Sequence, residues 1–135
     1  MTGLTVGKGF LDEWNALLPQ VIPIVQDLAQ ENPTYQIWVT GHSLGAAIST
    51  LCALELYSSG LKSLNVYNYG CPRVGNSEFA QYYDSRIPNT FRVVNGRDVV
   101  PTVPPKVLGF SHVATEVWEN PSQCKWLLSA ALKKS

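Results

Sequence analysis

The sequence predicts an α/β fold in which a mostly parallel sheet is flanked by helices. Strand-like apolar runs alternate with helix-like segments along the chain, and this order is typical of parallel strands joined by right-handed helical crossovers. The chain has 135 residues, a length that suits one domain with one core. Hydrophobic residues make up 45% and charged residues 15%, which favours a globular protein over a disordered one.

An amphipathic helix is predicted over residues 9–31. Pro19 and Pro23 each remove a backbone donor and crowd the preceding turn, so we expect a kink, or a second helix that begins near Pro19. Asn32 and Pro33 are expected to end this region. The apolar positions recur at spacings of three and four: Phe10, Trp14, Leu17, Leu18, Val21, Ile24, Val25 and Leu28.

The next segment is predicted to form a strand, a sharp turn and a helix. A strand over residues 36–40 leads into Gly41-His42-Ser43-Leu44-Gly45, and an apolar helix over residues 44–58 follows. This G-x-S-x-G pattern indicates a nucleophile elbow, in which the serine occupies a strained turn and its hydroxyl is presented to substrate. We expect side chains at Gly41 and Gly45 to clash with neighbouring backbone. The alternative is an ordinary turn in which Ser43 caps the helix.

The remaining elements follow the same alternation. Gly60 is expected to end the second helix in a left-handed conformation, and Asn76 or Ser77 is expected to cap a third helix that continues through Tyr83. Residues 99–105 contain three prolines and are expected to form a loop. Strands are predicted over residues 63–69, 90–94 and 110–118, and a short helix is predicted within residues 125–135.

Composition excludes several classes of function. Ten basic and ten acidic residues give a formal net charge of zero, so nothing favours nucleic acid or an anionic membrane as a partner. No apolar run is long enough for a transmembrane helix, and the N-terminus lacks the pattern of a signal peptide, which leaves the compartment unknown. Cys52, Cys71 and Cys124 are expected to be free thiols, with a disulfide as the alternative. Neither a metal site nor a cofactor is predicted.

Ser43 and Asp98 are the candidate catalytic residues. Both follow predicted strands, and the carboxyl ends of parallel strands lie at one edge of a sheet, where functional groups collect. Their order along the chain matches the nucleophile–acid–histidine order of α/β-hydrolases. The Leu44 N–H lies at a helix N-terminus, where it can stabilise an oxyanion. Asp98 has an alternative role as a turn residue that accepts backbone hydrogen bonds.

The chain has two histidines as candidate bases. His42 adjoins the nucleophile, so we expect its side chain to point away from the Ser43 hydroxyl and to pack or hydrogen-bond. His112 falls in the strand predicted over residues 110–118, on one face with Phe110 and Ala114, and we expect a structural role for it. A catalytic role for His112 stays open as the alternative.

Four blocks of sequence, in order, resemble the class 3 lipase family, the fungal-lipase-like α/β-hydrolases. They are GHSLGAAIS, YNYGCPRVGNSEFAQYY, FRVVNGRDVVPTVPP and GFSHVATEVW, and with VGKGFLDEW they cover about residues 6–118. Gly7 stands where the family commonly has a histidine. The resemblance implies one domain over residues 1–135 that represents the central part of an α/β-hydrolase fold. It also implies that Ser43 is the nucleophile, Asp98 the triad acid and Leu44 the residue whose N–H serves the oxyanion hole.

The resemblance also implies a function. We expect a serine carboxylic ester hydrolase that acts on acylglycerols or related esters without a cofactor, with a lipid–water interface as a further candidate partner. The family's triad histidine lies downstream of the position of His112, and its second oxyanion donor and lid lie upstream of Gly9, so all three are expected to be missing from this sequence. A catalytically impaired lipase-like scaffold or truncated product is therefore the alternative, and another hydrolase activity, such as a thioesterase, is a third.

Overall fold

A computed structural model describes residues 3–120, and the helix predicted within residues 125–135 lies outside that range, as does Cys124. The described residues contain three α-helices, six strands and two short 3₁₀ turns. In chain order they are α1 (Lys8–Glu31), β1 (Ile37–His42), α2 (Leu44–Ser58), β2 (Leu64–Tyr69), β3 (Gly75–Asn76), α3 (Ser77–Asp84), β4 (Thr90–Asn95), the turns Val100–Thr102 and Lys106–Leu108, β5 (Phe110–Ser111) and β6 (Thr115–Glu119).

The predicted parallel sheet is confirmed. Its four strands lie in the order β1-β2-β4-β6, and each neighbouring pair runs parallel. Helix α2 connects β1 to β2 and α3 connects β2 to β4, as the alternation of segments predicted. The carboxyl ends of β1, β2 and β4 therefore lie side by side at one edge of the sheet. Ser43 and Asp98 come after the ends of β1 and β4.

Helix α2 forms the centre of the core. It packs against β1 and β2 on one side and against α1 on the other, so both of its flanks are covered. Ala46, Ala47 and Ala53 are completely buried, because small side chains let the helix approach its neighbours closely. The helix predicted over residues 44–58 is thus confirmed in its bounds and in its burial. Gly60, with φ of 108°, follows its end.

The second helix expected to begin near Pro19 is absent. The helix runs from Lys8 to Glu31 with Pro19 and Pro23 inside it. Both prolines are exposed, so the carbonyls that lose a donor at Asn15 and Pro19 lie on the solvent side, where water can satisfy them. The core-facing side, with Trp14 and Ile22 buried, crosses both prolines without interruption. Burial of that side therefore outweighs the two lost hydrogen bonds.

The single strand predicted over residues 110–118 is wrong. Phe110–Ser111 pairs antiparallel with Gly75–Asn76 in a separate two-stranded sheet, whereas Thr115–Glu119 pairs with β4 in the main sheet. The chain changes direction between them at Ala114, which has φ of 61°. The Ala114 N–H donates to Asp84 Oδ1 at 2.7 Å, and the Val113 carbonyl accepts from Arg92 Nε at 2.6 Å. These long-range bonds hold a turn that the apolar pattern does not reveal.

The sheet face opposite α1 and α2 carries aromatic side chains. Trp38, Tyr67 and Phe91 stand side by side on three neighbouring strands, with ring centroids 5.7 Å and 5.1 Å apart. Within residues 3–120 no helix is long and apolar enough to cross a membrane. Cys52 and Cys71 are free thiols, as predicted for these two.

Candidate active site

Ser43 occupies the turn between β1 and α2 in a strained conformation. Its φ and ψ are 55° and −121°, values that a residue with a side chain rarely adopts. Its N–H donates to the Tyr69 carbonyl at 3.0 Å, which attaches the turn to the end of β2. Its side chain makes no capping hydrogen bond, so the interpretation of Ser43 as an ordinary helix cap is wrong. The hydroxyl is left available for chemistry.

The two glycines of the elbow behave differently. A Cβ at Gly41 would lie 2.2 Å from the Gly45 carbonyl oxygen and 2.7 Å from the Ala46 nitrogen, so the expected clash is confirmed there. A Cβ at Gly45 would meet nothing within 4 Å, so the expected clash at that position is wrong. The difference follows from what each position faces: a Cβ at Gly41 would meet backbone atoms of the first turn of α2, whereas a Cβ at Gly45 would enter open space.

The first turn of α2 presents one unpaired backbone donor beside Ser43. The N–H groups of Ala46 and Ala47 both donate to the Ser43 carbonyl, at 3.0 Å and 3.3 Å. The N–H of Leu44 precedes them and finds no acceptor in the part of the chain that the structure describes. It lies next to the Ser43 side chain at the positive end of the helix, which is where an oxyanion formed at Ser43 needs a donor.

A buried amide fixes this turn to the sheet. Asn68, on the core side of β2, is completely buried. Its Nδ2 donates to the Ala46 carbonyl and to Thr50 Oγ1, both at 3.1 Å, and its Oδ1 accepts from the Ser49 hydroxyl. Every polar atom of the side chain is therefore paired with α2. Sequence reasoning missed this residue, although a polar side chain in register with the buried Leu64 and Val66 was the available signal.

Asp98 follows β4, where the turn at Asn95 and Gly96 redirects the chain. Its Oδ1 accepts a hydrogen bond from the Val100 N–H at 2.9 Å, so the turn role considered for it is real. Its Oδ2 has no donor among residues 3–120 and lies against Gly70, where a Cβ would approach it to 2.6 Å. Gly70, with φ of 55°, thus gives the carboxylate room at the end of β2. One oxygen fixes the side chain and the other stays available for a partner.

A cleft of about 490 Å³ opens at this edge of the sheet. Ser43 is not among the residues that line the cleft. Its N–H donates to the carbonyl of Tyr69, which does line the cleft, so Ser43 lies next to it. His42 also lines the cleft and is exposed, so it is not buried in the core. A methyl built on Gly70 would lie within 3.7 Å of His42 Nε2, which places this ring near the Asp98 carboxylate. The full lining is His42, Tyr69, Gly70, Val93, Asn95, Asp98 and Glu119.

His112 has the structural role expected of it, although it lies in the break between β5 and β6 rather than in a strand. Its Nε2 is 2.8 Å from the Pro101 carbonyl, which can only accept, so the proton is on Nε2. Its Nδ1 is buried without a partner among the described residues. Burial, reinforced by the positive charge of Arg92, lowers the pKa of His112 from 6.5 to about 4. The ring is therefore neutral near pH 7, with its one proton committed to the loop after Asp98.

Within residues 3–120 no group of three His, Cys, Asp or Glu side chains has the arrangement of a metal site. The cleft has one histidine and two carboxylates, those of Asp98 and Glu119. The groups that this edge of the sheet offers for chemistry are the Ser43 hydroxyl, the Leu44 N–H and the Asp98 carboxylate.

Comparison with known proteins identifies one family. Residues 1–108 match the family Lipase (class 3). The chain is 43% identical over 122 residues to the lipase of Rhizomucor miehei, which covers 87% of this chain and 34% of that protein. It is 38% identical over 118 residues to the secreted mono- and diacylglycerol lipase 1 of Fusarium solani, with 87% and 35% covered. The chain thus spans about a third of the length of these curated relatives.

Solved structures agree with the sequence relatives. The chain superposes with a TM-score of 0.87 and 42% identity on a triacylglycerol lipase whose catalytic centre is described as a serine protease triad. It superposes with a TM-score of 0.84 and 41% identity on the lipase of Rhizopus microsporus var. chinensis. These matches cover 91% and 90% of this chain, and 48% and 44% of the respective solved chains. The fold is therefore that of the fungal lipases, an α/β-hydrolase fold.

Proposed function

Because the chain belongs to the class 3 lipase family, we propose that it is a serine carboxylic ester hydrolase of the triacylglycerol-lipase type. The observation that carries the proposal is Ser43, strained at the end of β1 with an uncapped hydroxyl and next to an unpaired N–H at the start of α2. The relatives named as triacylglycerol, diacylglycerol and monoacylglycerol lipases support acylglycerols as the substrate class. Such substrates bring the site to a lipid–water interface.

In this mechanism the Ser43 hydroxyl attacks the ester carbonyl while the triad base, a histidine by resemblance to the family and not assigned to a residue of this chain, takes its proton. The carbonyl oxygen becomes an oxyanion that accepts a hydrogen bond from the Leu44 N–H, a type of interaction whose removal costs on the order of a hundred- to a thousand-fold in rate. The histidine returns the proton to the leaving alcohol. Water then hydrolyses the acyl-enzyme and regenerates the serine.

Asp98 would orient the histidine through Oδ2. Its Oδ1 is held by the Val100 N–H, so the carboxylate plane is fixed while Oδ2 faces the cleft beside Gly70. A carboxylate in this position also stabilises the imidazolium that forms when the proton is transferred. The proposal assigns Asp98 this role by its place in the cleft and by the order Ser43, Asp98 along the chain.

A second candidate function is a lipase-like scaffold that binds esters without turning them over. This candidate is favoured by the hydrogen bonding of His112, one of two histidines in the sequence. The Nε2–H of its neutral ring donates to the Pro101 carbonyl. A triad without a working base loses on the order of a million-fold in kcat in a serine protease. The two candidates differ in turnover and not in fold.

A fluorophosphonate probe and an ester assay test the proposal together. The purified chain is incubated with the probe, and in parallel its hydrolysis of a p-nitrophenyl ester and of an emulsified acylglycerol is measured, with Ser43→Ala as the control. A hydrolase is labelled at Ser43 and releases product, and the Ala variant does neither. Labelling without turnover would show an activated Ser43 whose acyl-enzyme is not cleared, whereas the scaffold, which has no working base, predicts neither labelling nor turnover. A well-folded chain that shows neither labelling nor turnover refutes the hydrolase.

A further inference from the structure

The loop that follows Asp98 is held by two residues from elsewhere in the chain. Inside the loop, Thr102 N–H donates to the Val99 carbonyl and Val103 N–H donates to the Val100 carbonyl. The next four carbonyls, those of residues 101–104, each accept a hydrogen bond from outside the loop. An irregular segment with three prolines has few donors of its own, so these external bonds fix its position.

Arg73 supplies three of the four bonds. Its backbone N–H donates to the Val103 carbonyl at 2.9 Å, and its side-chain Nη1 donates to the carbonyls of Thr102 and Pro104 at 2.5 Å and 2.8 Å. A guanidinium suits this task because its donors are fixed in one plane, whereas the ammonium of a lysine is a single mobile point. Arg73 lies in the segment after β2, three residues beyond Gly70.

His112 supplies the fourth bond, from Nε2–H to the Pro101 carbonyl at 2.8 Å. His112 lies between β5 and β6, later in the chain than the loop. Arg73 comes before the loop and His112 after it, so the loop is held from two independent segments. Neither residue lines the cleft.

The loop in turn holds the carboxylate. Asp98 Oδ1 accepts the N–H of Val100, and Val100 begins the 3₁₀ turn Val100–Thr102, which carries two of the four bonded carbonyls and leads directly into the other two. Any displacement of that turn therefore moves the donor that fixes the Asp98 side chain. The segment containing Arg73 also provides Gly70, which gives Asp98 Oδ2 its space.

We infer that Arg73 and His112 are positioning residues, which hold the loop of residues 99–105 so that the Asp98 carboxylate faces the cleft at a fixed angle. The inference rests on the proposed function only in assigning Asp98 to catalysis. The hydrogen bonds that carry it exist whether or not the chain hydrolyses esters. Neither residue touches substrate, so neither is a catalytic residue.

Amide hydrogen exchange of the full chain, measured by NMR, is the first test. Arg73→Lys keeps the positive charge and loses the two side-chain bonds to the loop carbonyls. His112→Phe keeps an aromatic ring and loses the Nε2–H donor. His112→Gln keeps an N–H donor near the position of Nε2. Arg86→Lys is the matched control, because Arg86 follows α3 and donates to the carbonyl of Tyr82 in that helix, not to the loop after Asp98.

Arg73→Lys and His112→Phe are expected to speed exchange of the Val100 N–H by about tenfold, the effect of one lost hydrogen bond. Exchange of the Gly70 N–H, which bonds to Val93 in the sheet, stays unchanged, and His112→Gln and Arg86→Lys behave like the parent chain. Equal acceleration at Gly70 and Val100 would show a merely structural role. Val100 exchange at the parent rate in Arg73→Lys would overturn the inference, and this variant decides the matter if His112→Phe does not fold.

Ester hydrolysis gives the second test and separates the two proposals. If the parent chain turns over, Arg73→Lys and His112→Phe lower kcat by about tenfold or more with KM nearly unchanged, and His112→Gln restores most of it. Variants that raise KM at constant kcat would contradict positioning of the acid. If the parent chain does not turn over, the proposed function fails, while the exchange experiment still decides the role of Arg73 and His112.

Discussion

The elbow offers a matched pair of substitutions, Gly41→Ala and Gly45→Ala. The same methyl group is added at each end of one five-residue motif. At Gly41 its carbon would lie 2.2 Å from the Gly45 carbonyl oxygen and 2.4 Å from the Gly45 carbonyl carbon. At Gly45 it would enter open space, with no atom within 4 Å. A pattern-based account treats the two glycines alike, and the structure does not.

The magnitude follows from what would have to move. The atoms that meet the new methyl at Gly41 are backbone, so no side-chain rotation relieves the overlap, and β1 and α2 must separate by roughly 1 Å. Overpacking of this kind costs about 3 kcal/mol or more, a large part of the total stability of a small domain. Gly45→Ala is expected to be neutral or to stabilise by up to about 1 kcal/mol, since alanine restricts the unfolded chain.

Urea unfolding followed by circular dichroism measures both variants, and fluorophosphonate labelling reports on Ser43. Gly41→Ala should shift the midpoint strongly downward and lose labelling even where it remains folded. Gly45→Ala should keep both. A Gly41→Ala midpoint equal to that of the parent chain, or equal losses in the two variants, would refute the geometry of the elbow.

Three further predictions concern His112, Asp98 and Asn68. Because the pKa of His112 is about 4 in the folded chain against 6.5 in a free side chain, the unfolded chain binds the proton more readily between these values. The stability that neutral His112 contributes is complete above pH 6.5 and falls as the pH drops toward 4. The loss amounts to about 1–2 kcal/mol after allowance for partial exposure. In His112→Gln the urea midpoint should therefore vary less with pH over this range. Asp98→Asn keeps an oxygen for the Val100 N–H and should leave stability within about 1 kcal/mol of the parent while lowering kcat by roughly ten-thousand-fold, and an active Asn variant would exclude Asp98 as the triad acid. Asn68→Ala removes a completely buried, fully bonded amide and should cost about 2–3 kcal/mol in thermal or urea unfolding, whereas a cost below about 0.5 kcal/mol would show that the amide does not hold α2 to the sheet.

Much of the fold followed from local patterns. The bounds predicted for α2 are those observed, and the strands around residues 37–42, 64–69 and 90–95 lie within two residues of their predictions. Of the two residues predicted as caps of the third helix, Asn76 and Ser77, it is Asn76 that caps it, with its Oδ1 accepting the Phe79 N–H at 3.0 Å. Each of these features depends on interactions between residues close in sequence, whose period and capping chemistry a sequence displays directly.

The wrong predictions share a different cause. One expectation for α1 was a second helix that begins near Pro19, and the run at residues 110–118 was expected to form one strand. Burial of a face shared with α2 keeps the helix continuous, and bonds from Asp84 and Arg92 turn the chain at Ala114. In both cases the deciding partner is distant in sequence, and local propensity does not contain it.

By itself the sequence determined the family, the α/β order of elements, and the positions of Ser43 and Asp98 after two parallel strands. These are properties of short segments, because a strand, a tight turn and a helix are selected by sterics and periodicity over a few residues. Only the tertiary structure decided that Gly41 and not Gly45 is sterically required, and that His112 donates its proton to the loop after Asp98. Those outcomes depend on which surfaces meet when distant segments pack, and a distance of a few ångströms between such segments is set by the whole core.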